Sequence, residues 1–222
     1  AFLSPLIKQN KSIGFVPTMG ALHQGHLSLL KNSLSENDVT VMSIFVNPTQ
    51  FNNAEDLDKY PRTLERDVQI MQDLSNNIIV YAPEVADIYE GNTISESFNY
   101  DGLENQMEGK HRPGHFDGVG TIVKRLFEIV QPNKAYFGEK DFQQLQIVKK
   151  LVSKYKIPVD VIGCPIHREA NGLAMSSRNE RLSESAREKA AIIYQILNSA
   201  KEIFQTNSAQ ETIKFVENEF KK

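Results

Sequence analysis

Short apolar runs alternate along this chain with longer stretches in which apolar residues recur every three or four positions. Residues 13–16 (IGFV) form a buried-strand candidate, and the stretch from His26 to Leu34 reads as a helix. Residues 39–46 (VTVMSIFV) are β-branched and continuous, as expected of a strand covered on both faces. Leu64, Val68, Met71 and Leu74 fall at helical spacing between Thr63 and Leu74. Residues 78–81 predict a strand, 118–130 a helix with Val119, Ile122, Val123 and Leu126 on one side, and 135–137 a short strand that stops at Gly138. A helix over 145–155 and a strand over 159–162 continue the alternation.

Strand and helix in turn imply an α/β fold with a mostly parallel sheet and helices on both faces. Ligands of such sheets sit outside the carboxyl ends of the strands, so unusual polar residues should gather just after strands. They do: PTMGALHQGH follows the first strand, NPTQF the second and GEKDFQQ the strand at Ala135. After Gly163 the texture changes to a turn-rich, then polar stretch, with helical patterns over 185–204 and 209–220. The expected division is 1–165 for the nucleotide- and substrate-binding domain and 166–222 for a smaller second one. The helical pattern runs to Lys222 with no stop signal and the chain lacks an initial Met, so both ends are expected to be incomplete.

Composition narrows this little. With 222 residues, 40% hydrophobic and 24% charged, the chain has the make-up of an ordinary globular protein, not a disordered tail or a disulfide scaffold. A formal net charge of −3 argues against nucleic acid as the main partner. Cys164 is the one cysteine and cannot form an internal disulfide, which points to a reducing compartment. The uncharged run between Lys11 and Lys31 holds His23, Gln24 and His26, so it is not apolar enough for a membrane span. No signal peptide is visible.

Four segments could carry chemistry. His23 and His26 flank Gly25 where a strand-following loop becomes a helix, a place whose N–H groups and dipole favour an anion. Two imidazoles there could donate to one phosphate, and a His⁺–phosphate contact is worth on the order of 4 kcal/mol before desolvation. The plain alternative is two surface or core histidines. Met175, Ser176, Ser177 and Arg178 could clamp triphosphate oxygens, although a serine helix cap would look the same. Lys140 could neutralise a phosphate with Asp141 orienting it, or the GEKD run could be a charged surface turn; Gln143 and Gln144 beyond it open a helix, where amides usually face water. Asn47 and Gln50 are uncharged loop amides suited to a small hydroxy acid. Residues 110–115 (KHRPGH) are an anion patch or a solvated basic loop.

Taken in order, FVPTMGALHQGHLSL, FVNPTQF, EDLDKYPRT, HRPGHFDGV, FGEKDFQQL and GLAMSSRN resemble the pantothenate synthetase (pantoate–β-alanine ligase) family. The likeness runs from residue 15 to about 182. HxGH alone also occurs in other nucleotidyltransferases and in class I aminoacyl-tRNA synthetases; the series is far more specific. The resemblance implies a Rossmann-like fold, a mobile C-terminal lid that continues beyond residue 222, a cytoplasmic homodimer, and Mg²⁺ with ATP, pantoate and β-alanine as substrates. Pantoyl adenylate forms with release of pyrophosphate, and the β-alanine amine then displaces AMP.

By motif, the resemblance assigns Met19, Gly20, Ala21, Leu22, His23, Gln24, Gly25 and His26 to the ATP site, with His26 as proton donor and His23 close to the phosphates. Gln50 and Gln144 would hold pantoate, and Gln50 with Asn47 would serve β-alanine. Gly138, Glu139, Lys140 and Asp141 would bind ATP, with Lys140 acting on the phosphates beside the two histidines. Met175, Ser176, Ser177 and Arg178 would play the part of the synthetases' KMSKS loop. His167 stands where a backbone-type ATP contact is usually a Val. Metal ligands are not given; Asp67, in the helix after the second strand, is a candidate. Another HxGH adenylyl transferase and a non-catalytic nucleotide-binding module are the rival readings.

Overall fold

The computed structural model describes residues 3–222; the first two residues of the expected 1–165 domain lie outside the described residues. The chain divides into two compact units, the first ending at Ile166 and the second spanning His167–Lys222. The first runs α1 (Ser4–Lys8), β1 (Ile13–Thr18), α2 (Gln24–Glu36), β2 (Val39–Ile44), α3 (Ala54–Asp58), α4 (Leu64–Leu74), β3 (Ile78–Tyr81), α5 (Val85–Tyr89), α6 (Met107–His111), α7 (His115–Val130), β4 (Lys134–Gly138), α8 (Phe142–Tyr155) and β5 (Asp160–Cys164). Five parallel strands pair in the order β3-β2-β1-β4-β5. The order reverses between β1 and β4, the switch point at which open α/β sheets place their ligands.

Strand pleating divides the core between the two faces. Phe15, Val41, Ala135 and Phe137 pack with Val123 and Leu126 of α7 and Ile147, Val148 and Leu151 of α8. Val16, Met42 and Tyr136 pack with Leu29 and Leu30 of α2 and Met71 of α4. Apolar side chains pack on both faces, which is why the strands read as continuous apolar runs rather than alternations.

β1 extends past the expected Val16 to Thr18, but only on one side. Asn133 donates to the Ile13 carbonyl and Phe45 to the Thr18 carbonyl, so odd-numbered residues of β1 face β4 and even-numbered ones face β2. Pairing with β2 continues to Thr18, against Ile44. Pairing with β4 stops at Phe15, against Ala135. The next residue on the β4 side is Pro17, which has no N–H to give. The two central strands therefore part at their carboxyl ends.

Several helices start earlier than the apolar pattern suggests. α2 begins at Gln24 rather than His26, α7 at His115 rather than Gly118, and α8 at Phe142 rather than Leu145, because polar first turns carry no periodicity. The expected helix over 185–204 is two, α9 (Glu184–Ala190) and α10 (Ile192–Ile203), and no Gly or Pro marks the break; α11 spans Ala209–Glu219. In this second unit the Glu169 carboxylate takes two bonds from Arg187, each 2.8 Å, and one from Asn179 at 3.0 Å. These fasten the 168–174 bridge and the turn at Ser177–Arg181 to α9. No described helix is long and apolar enough to cross a membrane.

Gly118 of α7 lies so close to the loop after β2 that a Cβ there would fall well inside contact distance of the Thr49 carbonyl and the Gln50 backbone. Helix propensity alone would favour Gly118→Ala by about 1 kcal/mol. Overpacking against backbone costs about 1–3 kcal/mol. The variant is therefore expected to be less stable by about 1 kcal/mol in urea denaturation. A stabilised variant would mean that α7 does not press on this loop.

Candidate active site

The loop between β1 and α2 leaves the sheet through two left-handed residues, Gly20 at φ 83° and Ala21 at φ 49°. Glycine is needed at the first, where a Cβ would also meet Ile44 and Asp67. Ala21 is held against its preference by Asp67, which is fully buried on α4. Asp67 Oδ2 accepts from Ala21 N at 2.9 Å and Oδ1 from Leu22 N at 2.8 Å. Thr63 Oγ1 adds a bond of 3.2 Å to Oδ2. The metal candidate is thus the loop's anchor, with both oxygens committed to protein donors. Ala21 and Leu22 are buried, their N–H groups turned to Asp67 rather than outward. Their signal in the sequence was an acid inside the apolar stripe Leu64-Val68-Met71, a residue type that is rarely buried unpaired.

The anchored loop delivers α2 with His23 as its N-cap. His23 Nδ1 accepts from Gly25 N at 3.1 Å, and His26 Nδ1 accepts from His23 N at 3.3 Å, a capping box made of two imidazoles. With both Nδ1 atoms accepting, the neutral rings carry their protons on Nε2. The rings lie 4.0 Å apart, tilted by 35°. Desolvation, then the neighbouring His23 and Lys140, pushes His26 down to about 3. The expectation of a charged His⁺ at this position is therefore corrected: His26 meets a ligand as a neutral Nε2–H donor, because its half-buried site disfavours the cation.

Lys140 follows β4 across the parted strands, in an exposed turn, with Nζ 2.8 Å from Asp141 Oδ1. Its charge adds to the burial and the neighbouring His23 that lower His26. Gly138, Glu139 and Asp141 share this turn. Gln144 is half-buried in the first turn of α8, but Gln143, expected to face water, is 4% exposed. Its Nε2 donates to the carbonyls of Leu103 and Gln106, and its Oε1 accepts from Gly109 N, so it braces the segment before α7.

The loop after β2 meets the loop after β1. Gln50 Nε2 reaches Met19 Sδ at 3.0 Å, and Asn47 Nδ2 reaches Gln50 Oε1 at 3.2 Å. Asn47 is 1% exposed. The 110–115 run is not a solvated loop at its inner end. Arg112 Nη2 and His115 Nδ1 both approach the Gln50 carbonyl, at 3.1 and 2.8 Å, and Arg112 pairs with Glu108. A carbonyl only accepts, so His115 carries its proton on Nδ1 and takes Arg112 Nη1 at Nε2. Sequence reasoning missed Asp67's anchoring role and the His115–Arg112 clamp.

In the second unit, the exposed His167 accepts Met175 N at its carbonyl, 3.0 Å, which ties those two assigned positions together. Ser176 Oγ caps the following turn by accepting Arg178 N at 3.3 Å, and Ser177 is buried.

A doubly covered parallel sheet, with an HxGH loop at the end of its central strand, defines an ATP-binding α/β enzyme of the HxGH type. The family described as Pantoate-beta-alanine ligase matches residues 1–222, and the chain belongs to it. The pantothenate synthetase of Flavobacterium psychrophilum is 68% identical over 219 residues, covering 99% of this chain and 78% of that one. The crystal structure of pantothenate synthetase from Thermus thermophilus shares 44% identity at a TM-score of 0.89, over 95% of this chain and 76% of that one. Pantoate-beta-alanine ligase from Francisella tularensis, complexed with beta-gamma ATP and beta-alanine, shares 41% identity at a TM-score of 0.78, over 95% and 79%. The chain is an ATP-dependent ligase that joins pantoate to β-alanine.

His26 makes stability depend on pH with a definite sign. Its imidazole has an ordinary value of 6.5 and a folded value of about 3. Between them the unfolded chain binds more protons, so the contribution of the neutral ring is complete above pH 6.5 and is lost as pH falls toward 3. Denaturation of this protein and of His26→Gln across that range checks it: the unmutated protein is expected to lose stability more steeply with acid. Parallel curves would mean that His26 titrates normally.

Proposed function

We propose that the crevice between β1 and β4 runs the ligation in two steps. A pantoate carboxylate oxygen attacks the α-phosphorus of ATP, the bond to the bridging oxygen breaks, and pyrophosphate leaves. The β-alanine amine then attacks the acyl carbon, AMP departs and the amine loses a proton. A carboxylate needs no base, so the first step is mostly alignment and neutralisation of charge building on the pyrophosphate. His23 and His26 donate through Nε2, and Lys140 supplies positive charge. Met19, Gly20, Gln24, Gly25, Gly138, Glu139 and Asp141 line the nucleotide, while Ala21 and Leu22 serve it by holding the loop. The observation that carries this reading is the capping box of His23 and His26 at the start of α2, which leaves the ring protons on Nε2, with the charge of Lys140 felt at His26.

Gln50 and Gln144 hold pantoate, and Gln50 receives β-alanine, with Asn47, its amide committed to Gly118 and Gln50, serving that ligand by holding Gln50 in place. The Francisella tularensis ligase, complexed with beta-gamma ATP and beta-alanine, supports ATP and β-alanine as ligands here. Mg²⁺ arrives with ATP. Among the described residues no three His, Cys, Asp or Glu side chains cluster as a metal site, and Asp141 is the carboxylate that would help to hold the ion beside the phosphates. Bound there, it would offset phosphate charge. The family resemblance assigns His167, Met175, Ser176, Ser177 and Arg178 to ATP and the second unit to the part of a lid, whose task would be to exclude water from the acyl adenylate. A cytoplasmic homodimer follows from the family resemblance.

Pantoate alone, without β-alanine, is expected to support exchange of labelled pyrophosphate into ATP. Exchange that strictly required β-alanine would remove the two-step reading.

Gln50→Glu or Gln144→Glu would set a carboxylate beside pantoate with little change of shape. Two unit charges about 4 Å apart repel by roughly 4 kcal/mol at an effective dielectric near 20. Solvent screening reduces this, and a rise of at least about tenfold in pantoate KM is expected, with ATP KM moving much less. Steady-state kinetics with pantoate varied at saturating ATP decide it; unchanged constants in both variants would take these residues out of the site.

A further inference from the structure

Gln50 could present either its oxygen or its NH₂ to a substrate, and the surrounding hydrogen bonds choose. Asn47 Nδ2 lies 3.1 Å from the Gly118 carbonyl, which can only accept, so the NH₂ of Asn47 faces Gly118. Its Oδ1 then faces Tyr89, whose hydroxyl donates to it at 2.5 Å. Thr49 Oγ1 sits 2.9 Å from the Tyr89 hydroxyl and 3.2 Å from Asn47 Oδ1. The second N–H of Asn47 goes to Gln50, where the atom at 3.2 Å must be Oε1. That leaves Gln50 Nε2 turned toward Met19 and the loop after β1.

We propose that Tyr89 is a positioning residue for substrate binding, acting through Asn47 to hold Gln50 with its NH₂ toward pantoate. The assignment rests on the reading of Gln50 as a pantoate ligand. Tyr89 closes α5, outside every segment that carries the family resemblance, and is 2% exposed. Burial pushes its hydroxyl above the usual phenol value, so it stays a protonated donor. Arg125 lies over its ring, 4.9 Å from the centroid. Thr49 is the other hydroxyl bonded to Asn47 Oδ1. A donor at Gln50 suits a substrate rich in hydroxyl and carboxylate oxygens, which offer acceptors from any side.

The test is a double-mutant cycle on the full chain. Tyr89→Phe keeps the ring and removes only the donor. It is expected to raise pantoate KM about five- to tenfold with ATP KM within about twofold. In a Gln50→Ala background the same change should add little, because its effect passes through Gln50. A purely structural role would lower the denaturation midpoint and leave pantoate KM alone. An unchanged pantoate KM in Tyr89→Phe, or effects that simply multiply with those of Gln50→Ala, would overturn the inference. If Gln50→Ala itself leaves pantoate KM unchanged, the pantoate reading of Gln50 fails, and this inference with it. Should Tyr89→Phe not fold, Thr49→Val removes the other hydroxyl at Asn47 Oδ1 and enters the same cycle, with the same outcomes deciding.

Discussion

A proline in the central strand shapes the active end of this protein. Pro17 falls on the side of β1 that faces β4, where the next rung of the ladder would need an N–H. On the opposite side, Thr18 stays locked to β2, through its carbonyl to Phe45 N and its hydroxyl to the Ser43 carbonyl at 2.7 Å. The chain thus leaves the sheet with one edge pinned and the other open. A strand order that reverses at β1 already predisposes this point to bind ligands. The missing donor sets where the parting begins, and the loops after β1 and β4 stand on either side of it.

An opening alone would not give a defined site, because the loop after β1 must take an unfavourable path. A non-glycine residue in the left-handed region costs roughly 1–2 kcal/mol. Two bonds from backbone amides to a carboxylate return roughly 1.5–3 kcal/mol each. Asp67 therefore outweighs the strain at Ala21 and fixes the entry of α2. That entry in turn decides the chemistry of the histidines. Each Nδ1 is used to cap the helix, so each ring carries its proton on Nε2, and burial, with His23 and Lys140 adding to it, keeps His26 uncharged. The backbone sets the tautomer before any ligand arrives.

Much of the fold was legible in the sequence because its carriers are periodic. The parallel sheet and its covering helices follow from apolar runs and stripes, and the site's place follows from polar clusters after strands. What could not be read depends on single contacts across long separations. Gln143 looked like a solvated helix-start amide, and only the segment from Leu103 to Gly109 folding over it makes it buried. His115 looked like part of a basic loop until the Gln50 carbonyl, 65 residues away, claimed its Nδ1 proton. Asp67 did leave a trace, an acid on an apolar face, but the trace says only that a partner exists. The short helices α1, α3, α5 and α6 span five residues each, too few for periodicity to show.

The two sides of the crevice also differ in kind, and the proposed reaction explains why. In that reading the side given to the nucleotide carries charge, in Lys140, because negative charge grows on the departing pyrophosphate. The side given to pantoate is built from neutral amides whose direction is set by a backbone carbonyl and two hydroxyls. A cation paired with the pantoate carboxylate would bind it well and blunt it as a nucleophile. Amide donors orient an oxygen without neutralising it. The cation nearest the Gln50 loop, Arg112, is committed elsewhere, to the Gln50 carbonyl, to Glu108 and to His115. Its charge therefore braces the loop from behind while the face toward the substrate stays neutral, which leaves the carboxylate oriented and still reactive.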